Sequence, residues 1–162
     1  MKFSTVAIAL VAVIYCLPAS ADFPNMPPVK EGLWKIHTVD TYPDQPTQDT
    51  TVLLCRSHAY DDSVRTKAKK LESQCTVSSD TTVGNKHSST VSCKTGAFAT
   101  VSKSTVTMSD NAYHTETEAT MTMAGKTSDT KTVQDQTYMG ACPAGMAPGD
   151  RKLTDGTIQR AH

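Results

Sequence analysis

Three titratable side chains alternate along one segment of this 162-residue sequence. His114, Glu116 and Glu118 are separated by single residues, so on a β-strand they project from one face. An imidazole beside two carboxylates can ligate a hard metal ion or act in acid–base catalysis. The same pattern is typical of an exposed strand face whose charges oppose edge-to-edge association. We prefer the second interpretation and keep a hydrolase that uses the His114 and Glu116 face as the third functional hypothesis.

Methionines form a second group that could do chemistry. Met121 and Met123 are also two residues apart, so their thioethers could present two soft ligands to Cu(I). Met108, on the preceding segment, could supply a third. Because Tyr113 and Ala119 share the parity of this pair, we expect core packing. A periplasmic copper-binding protein is the alternative functional hypothesis.

Other catalytic signatures are absent from the sequence. It contains no Gly-x-Ser-x-Gly elbow, no His-Glu-x-x-His pair and no glycine-rich phosphate loop. The 16 Lys and Arg residues balance 16 Asp and Glu residues, which removes the electrostatic argument for nucleic acid as a partner. We therefore expect no cofactor and no nucleic-acid partner, and a non-enzyme is favoured over an enzyme.

The first 21 residues have the organisation of an export signal. Lys2 gives a positive start, residues 5–17 form an apolar run, and residues 19–21 (Ala-Ser-Ala) match the small-x-small cleavage rule. The run is shorter than the ~20 residues that span a bilayer. We expect cleavage before Asp22, no stable membrane anchor afterwards, and a periplasmic or secreted protein.

The mature chain then retains an even number of cysteines, which are Cys55, Cys75, Cys93 and Cys142. In a short exported chain this number indicates two disulfides. A hairpin centred on Gly84 would place Cys75 opposite Cys93 on one face of the sheet. The same register sets Val77 opposite Val91. We therefore predict a Cys75–Cys93 bridge, which leaves Cys55–Cys142; the lack of a Cys-x-x-Cys pair argues against zinc.

The segments that carry these residues are mainly β in pattern. Residues 22–162 contain 24 threonines, and short alternating stretches separated by turn signals extend to Cys142. Helical spacing occurs in one stretch after Ser57, a plausible N-cap. We predict a mainly β fold, an antiparallel meander of about seven strands that forms a half-open barrel or sandwich, with one short helix packed on it. A loop is expected over residues 42–48 and a bulge in the strand 98–109.

The chain is predicted to divide into three parts. Residues 1–21 are the signal peptide, and residues 22–142 are a single disulfide-stapled β domain. Residues 143–162 contain two prolines and three glycines without a hydrophobic period. This composition predicts a disordered C-terminal tail.

Four aromatic residues are the candidates for a ligand pocket between sheet and helix: Trp34, Tyr60, Phe98 and Tyr113. Trp34 is the only tryptophan and lies on the apolar parity of its strand, so we expect it to be the most extensively buried side chain. Simple core packing of these aromatics is the competing interpretation.

The order of these features resembles a family of small exported proteins from Gram-negative bacteria, catalogued as a domain of unknown function. The matching elements span about residues 28–142. They are the Gly32-Leu33-Trp34 opening, Cys55 before a short helix, Cys75 and Cys93 around a glycine, the turn at 109–113, Met121-x-Met123, and Gly140-Ala141-Cys142. Glu31 stands where the family usually has proline, and the segment after Cys142 is unusual for it. The resemblance implies an extracytoplasmic β domain and assigns no catalytic residue.

We therefore expect an exported periplasmic, non-catalytic binding or interaction module. Its partner would be a small hydrophobic ligand or an envelope protein.

Overall fold

The structure is a computed structural model that describes residues 29–43, 45–72 and 74–161. The predicted export signal lies outside the described residues. The elements, in chain order, are β1 (Gly32–Tyr42), β2 (Gln45–Arg56), α1 (His58–Glu72), β3 (Cys75–Val83), β4 (Lys86–Thr95), β5 (Phe98–Met108), β6 (Ala112–Met123), β7 (Lys126–Gly140), β8 (Arg151–Lys152) and β9 (Ile158–Gln159).

All described strands belong to one antiparallel sheet, in the order β3-β4-β5-β6-β7-β1-β2-β8-β9. Strands β3 to β7 form a meander, and the β1–β2 hairpin joins it because β1 pairs with β7. The sheet has free edges at β3 and β9, so it is not closed into a barrel. The predicted mainly β, antiparallel, half-open architecture is confirmed, with two short strands added to the expected seven.

Helix α1 connects β2 to β3, the two outermost of the seven long strands. Its N-terminus is capped as predicted, because the Tyr60 backbone N–H donates to Ser57 Oγ at 3.1 Å. The 15-residue helix is ~22 Å long, whereas seven flat strands would be ~29 Å wide. A twisted and curled sheet brings the end of β2 and the start of β3 within its reach. Val64 of α1 stays 37% exposed, so the helix covers the sheet only in part.

The hydrophobic core lies at one end of one sheet face. Trp34 is fully buried and packs with Val106, Met108 and Tyr113. It is the largest fully buried side chain among the described residues, as its parity predicted. We call the face of β1–β7 that carries Trp34 the inner face, and the opposite one the outer face.

The glycine before Trp34 is required by close strand packing. Gly32 has φ +135°, and a Cβ built there would lie 2.3 Å from the Gly140 carbonyl oxygen and 2.9 Å from the Tyr138 ring. At this point the β1–β7 register shifts between Leu33 and Trp34. The Gly-Leu-Trp and Gly-Ala-Cys elements of the sequence therefore meet in space.

Both predicted disulfides are present, and the predicted hairpin register is confirmed. Cys75 pairs opposite Cys93 and Val77 opposite Val91. The turn consists of two residues, Gly84 and Asn85, so it is not centred on Gly84 as predicted. A bulge between Val77 and Ser79 shifts the pairing, and Cys75 therefore still lies opposite Cys93. We call Cys75–Cys93 the hairpin disulfide and Cys55–Cys142 the terminal disulfide.

Two local expectations were wrong. The predicted loop over residues 42–48 is mostly strand, because β1 extends to Tyr42 and β2 begins at Gln45. Pro46 is compatible with this, since β2 at that position lacks a second partner strand. β5 contains no bulge, because its pairing with β4 and β6 is continuous; Val101 instead breaks the apolar parity by facing outward, 43% exposed.

The expectation of a disordered tail differs from the structure. Residues 143–161 fold back on β2, where β8 pairs with Leu53 and Leu54. Asp150 is buried there; it accepts hydrogen bonds from the backbone of Ala147 and Ala161 and forms an ion pair with Arg160. The edge of β2 that does not pair with β1 offers backbone partners to this segment, and the aperiodic sequence of the segment did not reveal the pairing.

Candidate ligand-binding face

The buried aromatic corner forms one end of the inner face. The Trp34 ring lies 5.4 Å from the Tyr113 ring and 5.5 Å from the Tyr138 ring, between centroids. Its Nε1–H donates to the Lys30 carbonyl at 2.8 Å, which satisfies the one polar atom of the indole. These contacts enclose Trp34 completely, so it is a core residue and offers no surface to a ligand.

An arginine crosses the edge of this corner. Arg56 lies over the Trp34 ring at 5.9 Å, donates from Nε to Asp61 at 3.0 Å and from Nη1 to Gln136 at 3.1 Å. Burial raises the pKa of Tyr113, an effect that the Arg56 charge opposes and Asp61 reinforces. The guanidinium thus ties the start of α1 to the inner face.

Polar side chains occupy the middle of the inner face, which we call the polar belt: Thr38, Asp40, Ser104, Thr117, Thr132 and Gln134. They bond to one another across strands. Gln134 donates to Thr38 at 3.1 Å, Thr132 donates to Asp40 at 2.6 Å, and the Ser104 and Thr117 hydroxyls lie 2.9 Å apart. Three of the 24 threonines after residue 21 lie in the belt, where their hydroxyls find partners across strands on a half-buried face.

Beyond the belt the inner face becomes apolar again, in what we call the apolar patch: Val77, Val91, Phe98, Ala119, Met121 and Met123. The register places them in two groups, Val77 with Val91 and Phe98 with the three β6 residues, and Ser102 and Thr100 of β5 lie between the groups. Val77 pairs with Val91, and Phe98 pairs with Met123. Val77 is 53% exposed and Met123 62% exposed, and the other four are half-buried. A cluster of exposed apolar side chains on one sheet face is a common feature of binding surfaces.

The four aromatic residues predicted for a pocket do not converge. Trp34 and Tyr113 are in contact in the core. Phe98 lies opposite Met123, ten residues along β6 from Tyr113, which corresponds to ~33 Å on an extended strand. Tyr60 is on α1, where its ring is next to Gly149 of the C-terminal segment. Of the four, only Phe98 belongs to the apolar patch.

The three methionines predicted as copper ligands are likewise divided. Met108 pairs with Tyr113 and is buried, whereas Met121 pairs with Thr100. Eight residues, ~27 Å, separate their positions along the hairpin, so Met108 cannot complete a site with the other two. An antiparallel hairpin brings together residues at equal distances from its turn, and Met108 is close to the turn while Met121 is far from it. We expected Met121 and Met123 to pack in the core. For Met123 this expectation was wrong, because the side chain is exposed.

The acidic and histidine residues of β6 lie on the outer face as predicted. His114 Nδ1 is 2.7 Å from Asp135, and Nε2 is 3.3 Å from Glu116. The hydrogen bond to Asp135, and then that to Glu116, raise the pKa of His114. Both ring nitrogens face carboxylates, which favours an imidazolium and provides no free nitrogen for accepting a proton. The described residues contain no cluster of three or more His, Cys, Asp or Glu that could hold a metal ion.

One buried histidine was missed by the sequence interpretation. His87 is 1% exposed on the inner face of β4; Nδ1 lies 2.9 Å from Thr82 Oγ1, and Nε2 lies 3.1 Å from Asp80. His87 has the same odd-numbered parity in β4 as Val91, and this parity could have placed it on the inner face. The ring stabilises the pairing of β4 with the edge strand β3 through side-chain contacts.

The fold and this face define a disulfide-linked, open antiparallel β-sheet domain with a partly exposed inner face. The chain belongs to the DUF3617 family, described as a protein of unknown function, whose family model matches residues 29–142. The match ends at the cysteine of the terminal disulfide, so the segment that folds back on β2 lies beyond it.

No curated protein matches the chain. Among solved structures, it is similar to the S-type phycobiliprotein lyase CPES from Guillardia theta, with a TM-score of 0.39 and 7% sequence identity. The alignment covers 69% of this chain and 89% of that one. Within the described residues, no helix has the length and apolar character needed to cross a bilayer.

Proposed function

We propose that this protein is an exported, non-catalytic periplasmic binding module that receives a small hydrophobic molecule on the inner face of its sheet. The observation that carries the proposal is the apolar patch. It extends over β3 to β6 in two groups that Ser102 and Thr100 of β5 separate, and Val77 in one group and Met123 in the other are exposed.

Covering apolar surface contributes ~25 cal/mol per Å², so a hydrocarbon chain that buries ~200 Å² would gain ~5 kcal/mol before the cost of immobilising it. A gain of ~5 kcal/mol corresponds to a dissociation constant of about 0.2 mM at best, and the immobilisation cost weakens it into the millimolar range. Such a ligand would be held loosely enough to be released, as a binding module requires.

The polar belt beside the patch favours a ligand with two different ends. Ser104 and Thr117 occupy the row next to Ala119 on the inner face. A hydroxyl or amide head group placed there would find hydrogen-bonding partners while its hydrocarbon part covered the patch. An alkyl chain with a neutral polar head fits this order of side chains.

Export is supported by two independent features. The first 21 residues have the pattern of a cleavable signal. The hairpin and terminal disulfides suit an oxidising compartment.

The test is a titration with a dansyl-labelled undecanoyl amide, followed by dansyl emission. The double variant Met121→Gln/Met123→Gln should weaken binding at least tenfold. Val101→Gln and Met139→Gln are the controls, because Val101 and Met139 are exposed on the outer face, and they should bind like the parent protein. Non-saturable binding, or equal loss in the controls, would contradict the proposal.

Copper binding by Met121 and Met123 is the second candidate, favoured by the exposure of Met123 and by the common face of the two thioethers. Met121→Leu/Met123→Leu separates the two functions, because leucine retains apolar volume and removes sulfur. A hydrophobic site should retain the dansyl probe in this variant. A copper site should lose Cu(I) measured by competition with a chromogenic chelator.

A further inference from the structure

The outer face carries a separate open groove of about 490 Å³, on the opposite side of the sheet from most of the apolar patch. It is lined by residues of the adjacent strands β5, β6 and β7, and by Thr41, Tyr42 and Pro43 at the end of β1. Its volume is within the ~300–1,000 Å³ range of small-molecule sites.

The floor of the groove is a row of alternating charges. Lys103 pairs opposite Glu118, and Glu118 pairs opposite Lys131, so three charged side chains lie on adjacent strands. Neighbours of opposite sign on a sheet face ordinarily attract one another. Yet no ion pair within 4 Å joins any of these three to another residue in the described part of the chain. All three remain exposed around the groove.

A second row adds another carboxylate and an apolar surface. Asp129 accepts a hydrogen bond from Thr120 Oγ1 at 2.7 Å, which orients its carboxylate beside the groove. Val101, in the same row, is 43% exposed. With Tyr42 and Pro43 it gives the groove two apolar walls between which a side chain could be placed.

From this juxtaposition we infer that the outer groove binds a zwitterionic amino acid or short peptide with an apolar side chain. The ligand carboxylate is held by Lys103 and Lys131, and its ammonium group is held by Glu118 and Asp129. Ligands with a single charge leave one pair of groove charges unmatched. This site is independent of the proposed hydrophobic function, because its charged residues are on the other face of the sheet.

The experiment is a titration of the ¹⁵N-labelled mature protein with the dipeptide Ala-Leu, monitored by amide chemical shifts. Saturable shifts should cluster at residues 41–43, 101–103, 118–120 and 129–131. N-acetyl-Ala-Leu and Ala-Leu-amide should each bind at least tenfold more weakly. Binding of the dipeptide should also weaken with added salt, since the groove charges are exposed.

Variants with matched controls complete the test. Glu118→Gln and Lys131→Gln should each reduce affinity at least fivefold. Glu116→Gln, from the same face of β6 but outside the groove, and Lys35→Gln, an exposed lysine of β1, should leave it unchanged. No saturable shift up to 10 mM dipeptide, or equal binding of the blocked peptides, would overturn the inference.

Discussion

Replacing Gly32 by alanine should destabilise the protein severely, for reasons that are local to the contact between β1 and β7. The added Cβ would lie 2.3 Å from the Gly140 oxygen, a backbone atom that cannot rotate away. Displacing packed atoms costs ~1–3 kcal/mol, and a non-glycine residue in so rare a backbone conformation costs another ~1–3 kcal/mol. We expect a loss of about 4 kcal/mol, a large part of the total stability of a typical domain.

Two other glycines separate the clash from the backbone strain. Gly140 has φ +107° and Gly84 has φ +59°, and a Cβ at either would meet nothing within 4 Å. Gly140→Ala should therefore show strain alone, and Gly84→Ala about 1 kcal/mol. The predicted order of destabilisation is Gly32→Ala, then Gly140→Ala, then Gly84→Ala.

The assay is equilibrium urea unfolding under non-reducing conditions, followed by the emission of Trp34. This residue is the only tryptophan, is fully buried, and lies two residues from the mutated position, so its emission reports on the affected region. With a slope of ~1–3 kcal/mol per molar urea, a 4 kcal/mol loss lowers the midpoint by roughly 2 M. If Gly32→Ala were no more destabilising than Gly84→Ala, the steric explanation would be wrong.

Three further outcomes are expected. Trp34→Ala should cost ~3–5 kcal/mol in the same urea assay, because it empties the centre of the core; a cost below ~1 kcal/mol would contradict the observed burial. Replacing both cysteines of the terminal disulfide by serine should cost ~1 kcal/mol more than the same change in the hairpin disulfide, because the closed loops contain 87 and 18 residues; equal costs by calorimetry would refute the loop-entropy account. The pKa of Asp150 is lowered by hydrogen bonds, first that from the Ala147 backbone N–H and then those from Arg160 and Ala161. The ionised carboxylate therefore stabilises the C-terminal segment at pH values above the unfolded-state pKa. This stabilisation is lost as the pH falls through the folded-state pKa. Asp150→Asn should accordingly accelerate amide exchange over residues 143–161 at neutral pH, whereas Asp155→Asn, at an exposed turn, should not.

The sequence determined the features that depend on local order along the chain. Period-two alternation identified the strands, and Ser57 identified the start of the helix. The hairpin disulfide followed from a register between two segments separated by one turn. Such features could be predicted because the interacting groups are neighbours in sequence, so few arrangements compete.

Tertiary structure decided which features lie together. Nothing in the sequence pattern indicates that β1 pairs with β7, about 100 residues away, and that pairing is what requires a glycine at position 32. The distances between Tyr113 and Phe98, and between Met108 and Met121, depend on the position of each residue along a strand relative to its turn. The order of the C-terminal segment depends on its pairing with the edge of β2 that does not contact β1. These are contacts between distant segments, and they are specified by strand order and register across the whole sheet, which no single segment contains.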